Sequence, residues 1–525
     1  MNTVVTFFRE NKINILFYFF ASGFIFYLTR NYVDSADLIQ YLSLAEQYQK
    51  LSLFEVANDF WSPLLSWLII PLNYFIKNNL FAFKALQWIL VNIGYLMLVY
   101  QCKKFTFSNA EKILIHFSIG VLFLSYGVCN GSPDLLYLDI LVFILLLVQI
   151  KEQSWLTVAL IGTGGGFLYL TKSFGIVFFA LFILADFVFL KEKTWLNFKR
   201  FFVILFFFGL VSCTWILFLS KKNQEFTYSG AAVYNFSIMN PKINPNVFGE
   251  IKHPIDTLHF KSPPNHISTS AWQEPNKFGL PHWSPKNYIK HYLKVIFKNI
   301  ISLAYYYFNS ILFLSVSILL MLSTYRKRNN STTISSPQIL KKVVNQLFFS
   351  ESHLMIAVKI TTFLYLLILT QKRYLWINEV YLLTLILGTL EHLNTRIKQV
   401  FLLALFLMTL FSSTHELSPV FTSKLNTNWK TDPIVSALKK DNYSKKIVSD
   451  IQLGPEGYTV SCAISFESDI QNFGVCDPSQ LQKLDFKGYF ISEGNSAINP
   501  AVHPFLTFMC YSPELNCSLY MVNPA

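Results

Sequence analysis

Asp34-Ser35-Ala36-Asp37-Leu38-Ile39-Gln40-Tyr41 comes directly after an apolar run, Ile13 to Thr29. It precedes Phe60-Trp61-Ser62-Pro63-Leu64-Leu65-Ser66-Trp67, where a second apolar stretch begins. Acidic residues wedged between apolar runs set the reading of the whole chain. Hydrophobic residues make up 53% of the 525 positions and charged residues only 14%, against about 25% charged in an ordinary soluble protein. The 52 phenylalanines exceed what one soluble core would use. In lipid only helices satisfy their backbone polar groups within one segment, so the composition predicts an all-α polytopic membrane protein. The apolar runs are continuous rather than alternating, which argues against a membrane β-barrel. Ile13 to Thr29 lacks a small-residue cleavage site and is read as a retained span.

At about 20 apolar residues per crossing, the chain yields roughly eleven spans. They fall near 12–29, 82–101, 112–130, 134–150, 155–171, 174–190, 201–219, 297–322, 354–371, 375–391 and 397–413. A net charge of +13 invites a nucleic-acid reading, but the basic residues sit in short loops between spans. Arg9, Lys12, Lys103, Lys104, Lys112, Lys151, Lys191, Lys193, Lys199, Arg200, Arg326, Lys327, Arg328, Lys341, Lys342, Arg396 and Lys398 all fall on one side if the N-terminus is cytoplasmic. That is topology information, and no nucleic-acid partner is expected. The outer side then receives residues 30–81, the turn Asn130-Gly131-Ser132-Pro133-Asp134, a loop over 220–296 and a tail over 414–525. Segment 64–76 contains Pro71 and is short for a span, so it reads as an interfacial helix.

The chain thus divides into a transmembrane part, 1–413, and an outer domain, 414–525. In the tail, Lys446–Ser449, Tyr458–Ile464 and Tyr489–Ile491 read as strands and Pro433–Lys439 as a helix, which predicts a small α/β domain. Cys462, Cys476, Cys510 and Cys517 suit either two disulfides in an oxidising compartment or four free thiols. No CxxC or HxxxH is present to suggest zinc, and His253, His259, His266 and His282 lack ligand spacing.

On the first outer segment Ser35 or Asp34 can cap a helix, and Leu38, Tyr41, Leu42, Ala45 and Tyr48 recur at helical spacing. Asp37, Gln40 and Tyr41 share one face. An acid in a first turn also complements the helix dipole without any function. Asp134 follows Pro133 and suits either a cap or a site carboxylate. Lys172 and Arg373 stand at outer span ends, where they either snorkel or meet an anion. Asp139 and Asp186 lie deeper in apolar spans and must face the bundle interior.

The order of these motifs carries a resemblance. Ala36-Asp37 with Tyr41 and Ala45, then Trp61-Ser62-Pro63-Leu64-Leu65-Ser66-Trp67, resembles the membrane glycosyltransferases of the GT-C fold that use polyprenyl-phosphate sugars. That group includes protein mannosyltransferases and the lipid A aminoarabinose transferase. Ser132-Pro133-Asp134-Leu135-Leu136, Gly166-Phe167-Leu168-Tyr169-Leu170-Thr171-Lys172 and Arg373-Tyr374-Leu375-Trp376 resemble later motifs of the same group, so the likeness covers roughly 10–415. It implies a glycosyltransferase of the bacterial cytoplasmic membrane. A sugar would pass from a polyprenyl-phosphate donor to a glycolipid, polysaccharide or protein on the outer, periplasmic face. It implies Asp37 as the catalytic carboxylate, with Asp134 as a second one, orienting the acceptor or a metal. Tyr41, Trp61, Lys172, Trp272, Glu274, Arg373 and Tyr374 are the expected substrate contacts, with Lys172 and Arg373 on the donor phosphate. No cofactor is certain, and a divalent metal stays open. The chain departs from the group in one place: Phe60-Trp61-Ser62 stands where relatives carry Lys or His before the first-loop prolines. The Trp-Trp-Asp-Tyr-Gly signature of oligosaccharyltransferases is absent from the tail. The rival readings are a flippase for a lipid-linked glycan, which would need paired halves, and a non-catalytic scaffold.

Overall fold

The structure, a computed structural model, describes residues 2–190, 192, 194–249, 251, 253, 258–281, 283–310, 315, 352–391, 395–450, 453–494, 498 and 503–523. Helices dominate it. In chain order they begin with α1 (Asn2–Leu28), α2 (Ala36–Lys50), α3 (Leu53–Val56), α4 (Leu64–Ile76), α5 (Asn79–Cys102) and α6 (Asn109–Val128). Next come α7 (Asp134–Val148), α8 (Trp155–Thr171), α9 (Gly175–Ala185), α10 (Trp195–Asn223), α11 (Gly230–Ser237) and α12 (Ile289–Asn309). After these come α13 (His353–Leu367), α14 (Trp376–Leu390) and α15 (Thr395–Thr422). Within α1, α5, α6, α10 and α15 lie stretches long and apolar enough to cross a membrane, and α4, α8, α9 and α13 are shorter apolar helices. Outward-facing Phe17, Phe20, Phe206, Leu217, Val400 and Phe411 are exposed, which suits lipid contact and makes the chain an integral membrane protein.

Several boundaries differ from the sequence expectation. The last long helix runs to Thr422, so the expected boundary at 413 cuts through α15, and Pro419 is carried inside it. The outer loop shortens to 224–288, because α10 extends to Asn223 and α12 starts at Ile289. The far half of the expected span 297–322, the basic cluster at 326–342 and His282 lie outside the described residues.

Small residues set the closest packing. On α8 a Cβ at Gly162 would come within 2.4 Å of the Ile204 carbonyl oxygen, and one at Gly166 within 2.4 Å of Val211 Cβ. The missing side chains let α10 lie against α8, the way small residues bring membrane helices together. Ser154 caps the start of α8, accepting from the Thr157 N–H at 3.2 Å. The helix therefore delivers Lys172, its last-turn neighbour, to a defined place.

Helix α2 is buried along most of its length. Leu38, Gln40, Leu42, Leu44 and Ala45 are all fully buried. Two of its glutamines hold the outer loop: Gln40 Oε1 accepts from Ser270 Oγ at 3.3 Å and Gln47 Nε2 donates to Gln273 Oε1 at 2.9 Å. Tertiary partners satisfy polar groups that would otherwise demand water.

The tail adds α16 (Pro433–Lys440), α17 (Gly454–Ser468), α18 (Pro478–Lys483) and a mixed sheet. Its strands are β2 (Lys446–Asp450), β3 (Gln471–Cys476), β4 (Gly488–Glu493), β5 (Leu506–Ser512) and β6 (Cys517–Val522). The sheet order is β1-β3-β2-β4-β6-β5, with β1 (His259–Phe260) contributed by the outer loop. Lys446–Ser449 and Tyr489–Ile491 lie in strands as expected. Tyr458–Ile464 does not; it lies in helix α17. The reason is topological. Strands β2 and β3 are parallel, so the chain between them must cross over, usually as a helix. Tyr458, Val460, Cys462 and Ile464 are buried in that crossover, and tertiary context outweighs their strand propensity. All seven cysteines are free thiols, and burial pushes the Cys462 and Cys517 thiols up to about 12.

Candidate active site

The outer segments converge on one cavity of about 310 Å³, within the size range of small-molecule sites. Asp37, Tyr41, Trp61, Asp134, Lys172, Trp272, Arg373 and Tyr374 all line it. Glu274 does not. Its carboxylate pairs with Lys277 at 2.9 Å, outside the cavity lining.

Part of the cavity lining is a charge cluster. Asp134, the first residue of α7, is buried. Its Oδ1 lies 2.6 Å from Lys172 Nζ and its Oδ2 lies 3.6 Å from Arg373 Nε. Ser132 Oγ donates to the same carboxylate. Arg373 Nε also donates to Gln371 Oε1 at 3.0 Å. The Tyr374 ring lies under both cations, 4.1 Å from Lys172 Nζ and 5.5 Å from the Arg373 guanidinium carbon. Such cation–π contacts fix the position of a charge without neutralising it. With its oxygens taken up in this way, Asp134 organises the two cations and is poorly placed to serve as a base.

An aromatic part of the lining holds Asp37. Trp272 Nε1 donates to Asp37 Oδ1 at 3.1 Å. Trp61 Nε1 reaches the Trp272 carbonyl oxygen at 3.3 Å, and the Trp61 ring meets the Tyr41 ring at a centroid distance of 5.3 Å. Asn58 builds this corner: its Oδ1 accepts from the N–H groups of Phe60 and Trp61, and its Nδ2 donates to the Gln273 carbonyl. Burial, with the carboxylates of Asp37 and Asp134 nearby, pushes the Tyr41 phenol well up.

Several lining residues gave no sequence signal. Phe174 and Tyr374 stack on either face of Tyr365, at centroid distances of 4.2 and 4.4 Å. Phe174 and Tyr365 read as ordinary apolar-span residues. Tyr234 and His253 also line the cavity and bond to each other at 3.0 Å, but no ligand spacing marks them in the sequence. Asp186, which sequence reading places in the bundle interior, meets His353 Nε2 at 2.8 Å. Asp139 is buried there too. Among the described residues no group of three or more His, Cys, Asp and Glu stands together as a metal centre.

No family model matches this chain, and no curated protein does. Among solved structures it is similar to ArnT from Cupriavidus metallidurans in the apo state, at 11% identity and a TM-score of 0.46, with 96% of each chain covered. The same protein bound to undecaprenyl phosphate is similar at 11% identity and TM-score 0.46, over 99% of this chain and 98% of that one. The apo oligosaccharyltransferase of Archaeoglobus fulgidus matches at 11% identity and TM-score 0.46, over 91% of this chain and 69% of that one. These are GT-C fold enzymes, the group that the sequence motifs resemble. Likeness at this level says nothing about chemistry, which has to be argued from the cavity.

Proposed function

We propose that this chain is a GT-C-type glycosyltransferase working at the outer face of a bacterial cytoplasmic membrane. It would move a sugar from a polyprenyl-phosphate donor to a glycolipid, polysaccharide or protein acceptor. One observation carries the reading: Asp37 and the Lys172–Asp134–Arg373 cluster line the same cavity. A base and an anion site are what this transfer needs.

The chemistry runs as follows. The acceptor hydroxyl or amine attacks the anomeric carbon and gives its proton to Asp37, a role worth about 10²–10⁴-fold for a positioned base. The bond from that carbon to the phosphate oxygen breaks, and its electron pair leaves with the lipid phosphate. Lys172 and Arg373 against Asp134 leave the cluster with a single net positive charge. That balances a phosphodiester before transfer and holds the more highly charged monoester as it forms. The cluster thereby supplies the positive charge missing at Phe60-Trp61-Ser62. Trp61, Trp272 and Tyr41 offer flat faces for a sugar ring. No step here is routed through a metal.

The test is Asp37→Asn in purified protein given a polyprenyl-phosphate sugar, with release of free polyprenyl phosphate as the readout. We expect transfer to fall by about 10²–10⁴-fold while the protein stays monodisperse. Full activity would remove Asp37 from the mechanism.

A further inference from the structure

Two buried charges outside the cavity lining take no part in the reaction above. Asp34 is the last residue before the cap of α2, and its Oδ2 accepts from the Gly131 N–H at 2.7 Å. Its Oδ1 is buried with no hydrogen-bond partner among the described residues. Lys84 on α5 is 1% exposed, and its Nζ likewise has no hydrogen-bond partner there. Lys84 Nζ lies 5.3 Å from the ring of Tyr32, two residues before Asp34, and acts on the Asp34 carboxylate more strongly than Arg373 does. A buried lysine in an apolar helix needs a counter-charge, and Asp34 is the carboxylate that acts on it, outside ion-pair contact.

The placement of this pair is informative. Asp37 follows Asp34 by three residues, and Asp134 follows Gly131 by three. The Asp34–Gly131 bond therefore ties together the two segments that carry the site's carboxylates. The tie is tight: a Cβ on Gly131 would come within 2.0 Å of Asp34 Oδ1. The same turn is gripped from α5, where Gln87 Nε2 donates to the Asn130 carbonyl. Inside the turn, Ser132 Oγ bonds to Asn130 Oδ1 at 2.9 Å as well as to Asp134.

Resting on the functional reading above, we propose that Asp34 is a positioning residue. It is a strut that fixes the Asn130–Asp134 turn against the start of α2, with Lys84 as its buried counter-charge. The strut sets the distance between the proton-accepting Asp37 and the cation cluster that Asp134 organises. Asp34 and Lys84 touch neither donor nor acceptor.

Two readouts test this in the full-length protein. The first is amide exchange of the 130–134 turn. The second is binding of farnesyl phosphate, followed by thermal shift. Asp34→Ala should raise exchange of the turn and weaken farnesyl phosphate binding by about tenfold, the scale of one lost hydrogen bond to a charged group. Asp34→Asn keeps an acceptor for the Gly131 N–H and should weaken binding less. Adding Lys84→Met to Asp34→Asn should recover binding relative to either single change, because the two charges then vanish together. Should Asp34→Ala fail to fold, Gly131→Ala replaces it: it keeps every charge, pushes on Asp34, and should show the same two effects. Unchanged exchange in a folded variant overturns the strut. Raised exchange with unchanged binding overturns its positioning role. Wild-type protein that ignores farnesyl phosphate would sink the functional reading instead, while exchange would still decide the strut.

Discussion

Trp272 Nε1 donates to Asp37 Oδ1 at 3.1 Å, so the carboxylate in the cavity is oriented by a residue 235 positions away in sequence. Trp272 lies on the outer loop, and the loop is held by the tail. Asn472 N donates to the Thr269 carbonyl at 2.7 Å, and Gln471 Nε2 donates to the carbonyls of Asn265 and Ser268. Strand β1 pairs with β3 a few residues upstream. The tail domain therefore reaches the site through the loop.

Trp272→Phe keeps the ring and removes the donor. A hydrogen bond to a charged group is worth about 1.5–3 kcal/mol net, which is roughly 10- to 100-fold in rate at about 1.4 kcal/mol per tenfold. We expect that loss in kcat with little change in thermal stability. Steady-state kinetics on the variant decide it: an unchanged kcat would make Trp272 a space-filling residue only.

Arg373→Lys separates geometry from charge. A guanidinium presents paired donors to phosphate oxygens, and an ammonium does not. We expect donor-limited turnover to fall by about tenfold or more, with the folded state preserved. Donor titrations measure it, and equal donor dependence in the two proteins would place the phosphate elsewhere.

Asp134→Asn breaks a buried ion pair, leaving Lys172 without its partner. Removing one member of such a pair costs about 3–5 kcal/mol. Thermal unfolding in detergent should register a marked loss of stability, together with loss of transfer. Adding Lys172→Met should recover stability but not activity. Recovery of both would mean that the pair serves the fold alone.

The tail is expected outside the cytoplasm, on the grounds of loop charge. Lys483 is exposed on α18, and Cys213 is the exposed native thiol. A Lys483→Cys variant carrying Cys213→Ser should react with a membrane-impermeant maleimide in intact cells. Reaction only after permeabilisation would invert the topology and move every site residue to the other face.

Sequence by itself determined the class of the protein and most of its helices. Continuous apolar runs have one stable solution in lipid, and a local cap such as Ser35 marks where a helix starts. Asp37, Lys172 and Arg373 were legible because charges at the ends of apolar runs are conspicuous. What only the tertiary structure decided is which of these groups meet. Asp134 could be read as a cap or a catalytic acid, and its pairing with Lys172 and Arg373 depends on how α7, α8 and the turn before α14 pack. Glu274 looked equivalent to Trp272 in sequence, yet a neighbouring Lys277 draws it out of the cavity. Tyr458–Ile464 carries strand-like residues and folds as a helix, because parallel β2 and β3 require a crossover. Local chemistry sets the elements, but contacts between residues hundreds of positions apart, such as Asp37 with Trp272, arise only when the whole bundle closes.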